Sequence, residues 1–184
     1  MPALFPYRNY EEHDIINGMF TWSGSMPVNK GTLVKITAGA NPTHLDSLDL
    51  IGTPGAAYSN TVSPRWGVIG KVGPASTGDQ VLGMLLYDGR ETDENGEKLI
   101  FNPRKQAEME VFISGQACPI VTKGVFLYSG DARLEGTVTA GVKVYASGGG
   151  LVVGAYNNAS NHVGVALSPT GANGEFYVRL NIVN

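Results

Sequence analysis

From Gly31 onward the chain is a series of short runs of β-branched and alternating residues, most of them closed by Gly, Pro, Asn or Ser. The runs are 32–37, 67–72, 81–87, 110–114, 124–128, 142–146, 151–156, 163–167 and 175–183. Such segments read as strands, because branched side chains suit a pleated surface and the flanking residues suit turns. Nine or more in one chain indicate an all-β barrel or sandwich. The clearest alternation is at the end, where Phe176, Val178, Leu180 and Ile182 alternate with Tyr177, Arg179 and Asn181. Only one helix is credible. Asn102 can cap it, Pro103 fits its first turn, and 104–109 are good helix formers. Asn95-Gly96 predicts a type I′ hairpin between 84–88 and 97–101. Residues 39–66, rich in Pro, Gly, Ser and Asn, read as a long loop.

Composition removes several alternatives. The 184 residues suffice for one ordinary domain, and a hydrophobic content of 42% is too high for a disordered chain. Thirteen Lys+Arg against 16 Asp+Glu, with no basic run, argue against a nucleic-acid partner. No run approaches the ~18 apolar residues of a membrane span, so no membrane partner is expected. The N-terminal residues lack the basic and apolar regions of a secretory signal, so synthesis in a reducing cytoplasm is expected. The single cysteine, Cys118, allows no internal disulfide and reads as a small buried hydrophobe.

Residues 1–30 differ from the rest. They carry Phe5, Tyr7, Tyr10, Ile15, Ile16, Met19, Phe20 and Trp22, with Pro2, Pro6 and Pro27, and no period of 2 or 3.6. Such a segment is either a strap over its own core or an arm that docks on another chain. The arm reading makes those eight apolar residues the candidate partner-binding set, since in water they would form an exposed patch. It also divides the chain into an extended arm, 1–30, and a β body, 31–184. Within the body a faint repeat is visible. Val28, Gly31 and Val34 parallel Val138, Gly141 and Val144; Ile69 to Val72 parallel Val153 to Tyr156; Gly83 to Leu86 parallel Gly164 to Leu167. The preserved order predicts two similar units, 31–128 and 129–184, with 39–66 inserted in the first, although Val-Gly-Val patterns recur in any β chain.

No residue set spells out a catalytic centre. His13, His44 and His162 have no partner at a metal-binding spacing, and no G-x-S-x-G elbow is present. Gly148-Gly149-Gly150 lies between strand-like runs and lacks the Lys-Ser/Thr of a phosphate loop. Asp88, Glu91, Asp93, Glu94 and Glu97 are the best metal candidates. Aligned on Gly96, however, the twelfth position of a calcium loop is Asn102 and no helices flank it, so a solvated hairpin tip is the reading. No cofactor, metal or catalytic residue is therefore expected, and the chain is not expected to be an enzyme.

Residues 81–88 (VLGMLLYD), 102–111 (NPRKQAEMEV) and 114–126 (SGQACPIVTKGVF) resemble the decoration, or cement, proteins of tailed-bacteriophage capsids. So do 138–145 (VTAGVKVY), 163–167 (VGVAL) and 174–180 (GEFYVRL). The resemblance spans roughly 67–184 and rests on structural glycines and strand residues. It implies a β-barrel or β-tulip-like subunit, with an extended N-terminal arm here and one short helix near 103–109. It also implies a homotrimer on the outer capsid surface of the virion, made in the host cytoplasm and bound to the major capsid protein. The expected function is to cement neighbouring capsid subunits. Two other classes remain open: a carbohydrate-binding β module for host attachment, with Trp66 and Tyr58 as candidates, and a trimeric β enzyme with sites between subunits.

Overall fold

The computed structural model describes residues 3–6, 14–39, 70–76, 78–129, 137–147, 150–153, 162–172 and 174–182. The protein is all-β, with one short helix among the described residues. In chain order the elements are β1 (Ala3–Pro6), β2 (Ile15–Ile16), β3 (Phe20–Trp22), β4 (Leu33–Ala38), β5 (Gly70–Pro74), β6 (Gly83–Leu85) and β7 (Asp88–Gly89). A 3-10 turn (Leu99–Phe101) and α1 (Pro103–Glu108) come next. Then follow β8 (Val111–Phe112), β9 (Ile120–Val121), β10 (Lys123–Ser129), β11 (Lys143–Ser147), β12 (Gly150–Val153), β13 (His162–Ala166) and β14 (Glu175–Asn181). All nine strand-like runs contain a strand. Residues 67–69, 154–156 and 183, and all but the first residue of the loop 39–66, lie outside the described residues.

The strands form two six-stranded sheets and one pair. The flanking sheet has the order β1-β10-β14-β13-β11-β12, and the central sheet β2-β9-β6-β4-β5-β3. Neighbours are antiparallel except β3 with β5 and β7 with β8. The central sheet curls until Thr21 in β3 bridges Ala117, just before β9, and the Cys118 N–H donates to the Phe20 carbonyl at 2.9 Å. The chain crosses from one sheet to the other at Thr122. Its N–H donates to the Asp14 carbonyl (2.8 Å), and its own carbonyl accepts from Ile182 (3.1 Å).

Strand alternation explains the cores. Successive side chains leave a strand on opposite faces, and in the central sheet both faces are apolar. Leu33, Met84 and Val121 join Phe126, Tyr128, Val144, Phe176, Val178 and Leu180 between the two sheets. Their chain neighbours Val34, Leu85 and Ile120 enter a second core with Phe20, Trp22, Val72, Phe112 and Cys118.

The internal repeat is a repeat of structure. Val34 stands opposite Gly83, and Val144 opposite Gly164. Gly31 N–H donates to Leu85 and Gly141 N–H to Ala166, both at 2.7 Å; Leu85 N–H returns to Thr32 and Ala166 N–H to Val142, both at 2.9 Å. Gly83 and Gly164 are glycine for one reason. A Cβ would lie 2.6 Å from the Val121 carbonyl oxygen in one case and 2.1 Å from the Arg179 oxygen in the other. β4, β6 and β9 thus correspond to β11, β13 and β14. The second sequence parallel is out of step: Val34 faces Pro74 where Val144 faces Val153, so Pro74, not Ile69, matches Val153. The unit boundary at 128 also needs correction. β10 lies before it in the chain yet pairs with β14 in the flanking sheet.

The N-terminal segment is no free arm over its described part. β1 is an edge strand of the flanking sheet, with Phe5 opposite Leu127. Ile15 and Ile16 are half-buried, opposite Val121 and Ile120. Phe20 and Trp22 are only 6% and 8% exposed. The physical reason is that, among the described residues, no second six-stranded sheet lies over one face of the central sheet, and these rings pack into the core on that face. Tyr7 and Tyr10 lie outside the described residues. Deleting residues 1–26 is therefore expected to give aggregation or a large fall in Tm, and Phe20→Ala alone to cost about 3–5 kcal/mol in urea unfolding. A truncated protein with the parent Tm would restore the arm.

Candidate functional site

β6 and β9 are joined by 34 residues, 86–119, whereas their counterparts β13 and β14 are joined by eight. The long connection first pairs with the body. Val28 and Gly89 exchange two backbone hydrogen bonds (3.0 and 2.8 Å), and Arg90 N–H donates to Phe112 at 3.0 Å. Phe112 and Cys118 then anchor it in the second core. Beyond that anchor it rises to a tip built on a small core of its own, Leu99, Val111 and Ile113, with Met109 against them.

The tip is the 3-10 turn. Leu99 is inserted at 1% exposure, while Ile100 and Phe101 are 62% and 82% exposed. With about three residues per turn, three consecutive apolar residues cannot all face inward. The turn is fixed on both sides. Leu99 N–H donates to the Glu91 carbonyl (3.0 Å). The Asn102 side chain accepts from Lys105 N–H (3.2 Å), capping α1 as its sequence predicts. Gln106 Nε2 donates to the Val111 carbonyl (3.2 Å) and to Gln116 Oε1.

Asp93 is the hub of the preceding turn and is buried, contrary to the solvated-tip reading; Glu91, Glu94 and Glu97 are exposed. Its Oδ1 accepts from the N–H of Asn95 and of Glu97, each at 2.8 Å, and its Oδ2 accepts from Lys105 Nζ. Lys105 also reaches Glu94 at 3.1 Å. The turn is not type I′, because Gly96 has φ +84° and Asn95 has no positive φ. The bonds Gly96 N–H to Asp93 (3.2 Å) and Asp93 N–H to Glu97 (3.0 Å) instead fit a type I turn closed by a left-handed glycine. The Lys105 ammonium holds the Asp93 carboxyl below the usual range. Glu94 is lowered by its own backbone N–H and by Lys105, and Lys105 is raised by Asp93 first and Glu94 second.

Of the residues that sequence places in a partner-binding set, only Met19, at 50% exposure, presents a large described surface. Ile100 and Phe101 are absent from that set. The sequence reads 97–101 as the second strand of a hairpin, where the structure has the 3-10 turn Leu99–Phe101. Trp66, Tyr58, His13 and His44 lie outside the described residues. His162 stacks edge-on to Tyr145, centroids 5.8 Å apart. Among the described residues, no three His, Cys, Asp or Glu side chains converge as a metal site, and no helix is long and apolar enough to cross a membrane. Cys118 is fully buried, its thiol donates to the Phe20 carbonyl at 3.3 Å, and burial pushes its pKa up to about 11. The chain matches no protein-family model and no curated protein.

Two predictions follow from this geometry. Lys105→Met removes the cation from two carboxylates and lowers Tm at pH 7. Their folded pKa values lie below the unfolded ones, so the lost stability is present above the carboxylate range and vanishes as pH falls through it. The deficit is therefore expected to shrink as pH falls through the carboxylate range; an equal deficit at pH 7 and pH 2 would show that the charges contribute nothing. Cys118 is expected to resist alkylation at pH 8 in the folded protein, with Cys118→Ala costing about 1 kcal/mol from the small cavity left. Alkylation as fast as that of a free thiol would contradict its burial.

Proposed function

We propose that this chain is a structural protein of a tailed-phage virion that binds the outside of the capsid and cements neighbouring subunits, with no catalytic role. The observation that carries the reading is the tip. Ile100 and Phe101 stand out of a turn whose every flank is tied down. Side chains held in place before contact lose little freedom on binding. An exposed aromatic on a rigid base is the kind of anchor around which protein interfaces concentrate their energy. The resemblance of 81–126 and 138–180 to capsid decoration proteins supplies the partner, the major capsid protein, and the site, the virion exterior. Many copies on one particle would convert modest contacts into firm attachment.

The test is co-sedimentation with empty shells of the phage's own major capsid protein, prepared without this chain. Saturable pelleting at micromolar concentration, with shells that withstand higher temperature when decorated, is the expected result. A protein that stays in the supernatant with such shells would overturn the proposal.

A further inference from the structure

We propose that Asn17 is a site of spontaneous deamidation, and that its conversion loosens the N-terminal cover of the second core. The chemistry is independent of any binding partner.

The reaction needs an asparagine side chain, the backbone nitrogen that follows it, and water. The Gly18 nitrogen loses its proton to solvent base and attacks Cγ of Asn17. A C–N bond forms, the bond from Cγ to Nδ2 breaks, and the nitrogen takes up a proton and leaves as ammonia. Water then opens the five-membered imide. Cleavage at the side-chain carbonyl gives aspartate. Cleavage at the backbone carbonyl gives isoaspartate, in which the main chain runs through Cγ. One water is consumed and one ammonia released, and nothing is oxidised or reduced.

The sequence holds three Asn-Gly pairs, Asn17-Gly18, Asn95-Gly96 and Asn173-Gly174. Glycine has no Cβ to obstruct the attack. Asn173 lies outside the described residues. The other two pairs are alike in access. All four residues are exposed, the glycines have φ +79° and +84°, and a Cβ on either would meet nothing within 4 Å. Hydrogen bonding separates them. Gly96 N–H donates to the Asp93 carbonyl (3.2 Å) and Asn95 N–H to Asp93 Oδ1 (2.8 Å). That turn must open before Gly96 can attack. The carboxylates of Asp93, Glu94 and Glu97 also oppose the negative charge of a deprotonated amide. Among the described residues, Gly18 N–H donates to no acceptor and the Asn17 carboxamide has no partner. Residues 15–20 carry no charge. A reactant that reaches its attack geometry without first breaking a bond meets the lower barrier.

The consequence follows from what the link joins. Only residues 17–19 separate Ile16, paired with Ile120, from Phe20, paired with Gly70. Phe20 lies in the second core, and its carbonyl accepts from Cys118 N–H at 2.9 Å. Isoaspartate adds one backbone atom to a short link whose two ends are fixed. The two ends cannot both keep their register, and the cover gives on one side.

Peptide mapping by mass spectrometry tests this on the full chain, aged in mildly alkaline buffer, folded and in guanidinium. In the folded protein the gain of one mass unit is expected at Asn17 at least about threefold faster than at Asn95, the effect of one hydrogen bond that must first break. In guanidinium the two rates are expected to converge. Aged parent is expected to melt below fresh parent, and Asn17→Gln to keep its Tm on ageing. Asn17→Asp, which has the new charge without the extra atom, is expected to melt like the parent. An Asn17 that stays intact in the fold while converting in guanidinium, or that converts no faster than Asn95, overturns the site. Converted protein with the parent Tm, or an Asn17→Asp protein that melts as low as the aged one, overturns the loosening by the added atom.

Discussion

Leu33 and Val34 are neighbours in β4, both are fully buried, and they enter different cores. The same holds for Met84 and Leu85, and for Val121 and Ile120. A central sheet built this way is stable only if something apolar lies on each face, since every uncovered large side chain forfeits about 1.5–3 kcal/mol. The flanking sheet covers one face. Among the described residues no second six-stranded sheet covers the other, and the chain closes it with pieces: Phe20 and Trp22 from one end, Phe112 and Cys118 from the long connection. The N-terminal segment is therefore held by the demand of the sheet. The thiol of Cys118 and the backbone of Phe20 meet because both are parts of that cover.

The duplication shows which parts of the chain the fold does not need. The flanking unit makes the same turn, the same strand pairing and the same close approach of a glycine to the next strand's carbonyl as the central unit. It joins β11 to β12 with two residues where β4 and β5 are 31 residues apart, and β13 to β14 with eight where β6 and β9 are 34 apart. Both additions fall in the unit whose faces are already covered. Long connections on a rigid scaffold are where binding commonly resides.

How far the sequence could be read depended on the length of each signal. The nine β runs were legible because each offers several alternating residues and a turn residue at its end. The helix was legible because Asn102 and Pro103 mark its start independently of packing. β1, β2 and β3 were not, because strands of two to four residues at sheet edges give no period, and their aromatics serve a cover and not a strand pattern. The register of β5 was misread because Val-Gly pairs recur and only hydrogen-bond partners fix which one matches. Asp93 looked like its acidic neighbours in sequence. Only the turn brings two backbone N–H groups and Lys105 onto one carboxylate and separates it from Glu94 and Glu97. The tip was missed for a related reason: 97–101 reads as the second strand of a hairpin, and only the 3-10 turn sends Ile100 and Phe101 outward.

That outward pair is where structure and cost diverge. α1 is six residues long and none of its residues is buried, so it adds nothing to any core. A helix so short does not persist by itself in water. It is held by the Asn102 cap, by Lys105 on Asp93 and Glu94, and by Gln106 on Val111 and Gln116. Stability alone would favour the eight-residue connection of the flanking unit, which leaves no Phe at 82% exposure. Three sets of polar ties thus maintain a segment whose one prominent product is a fixed pair of exposed apolar side chains. An arrangement that orders its surface before any partner arrives reduces the entropy lost on contact. That gain is realised only in a bound state, and it is the physical ground for placing the working surface of this protein at Ile100 and Phe101.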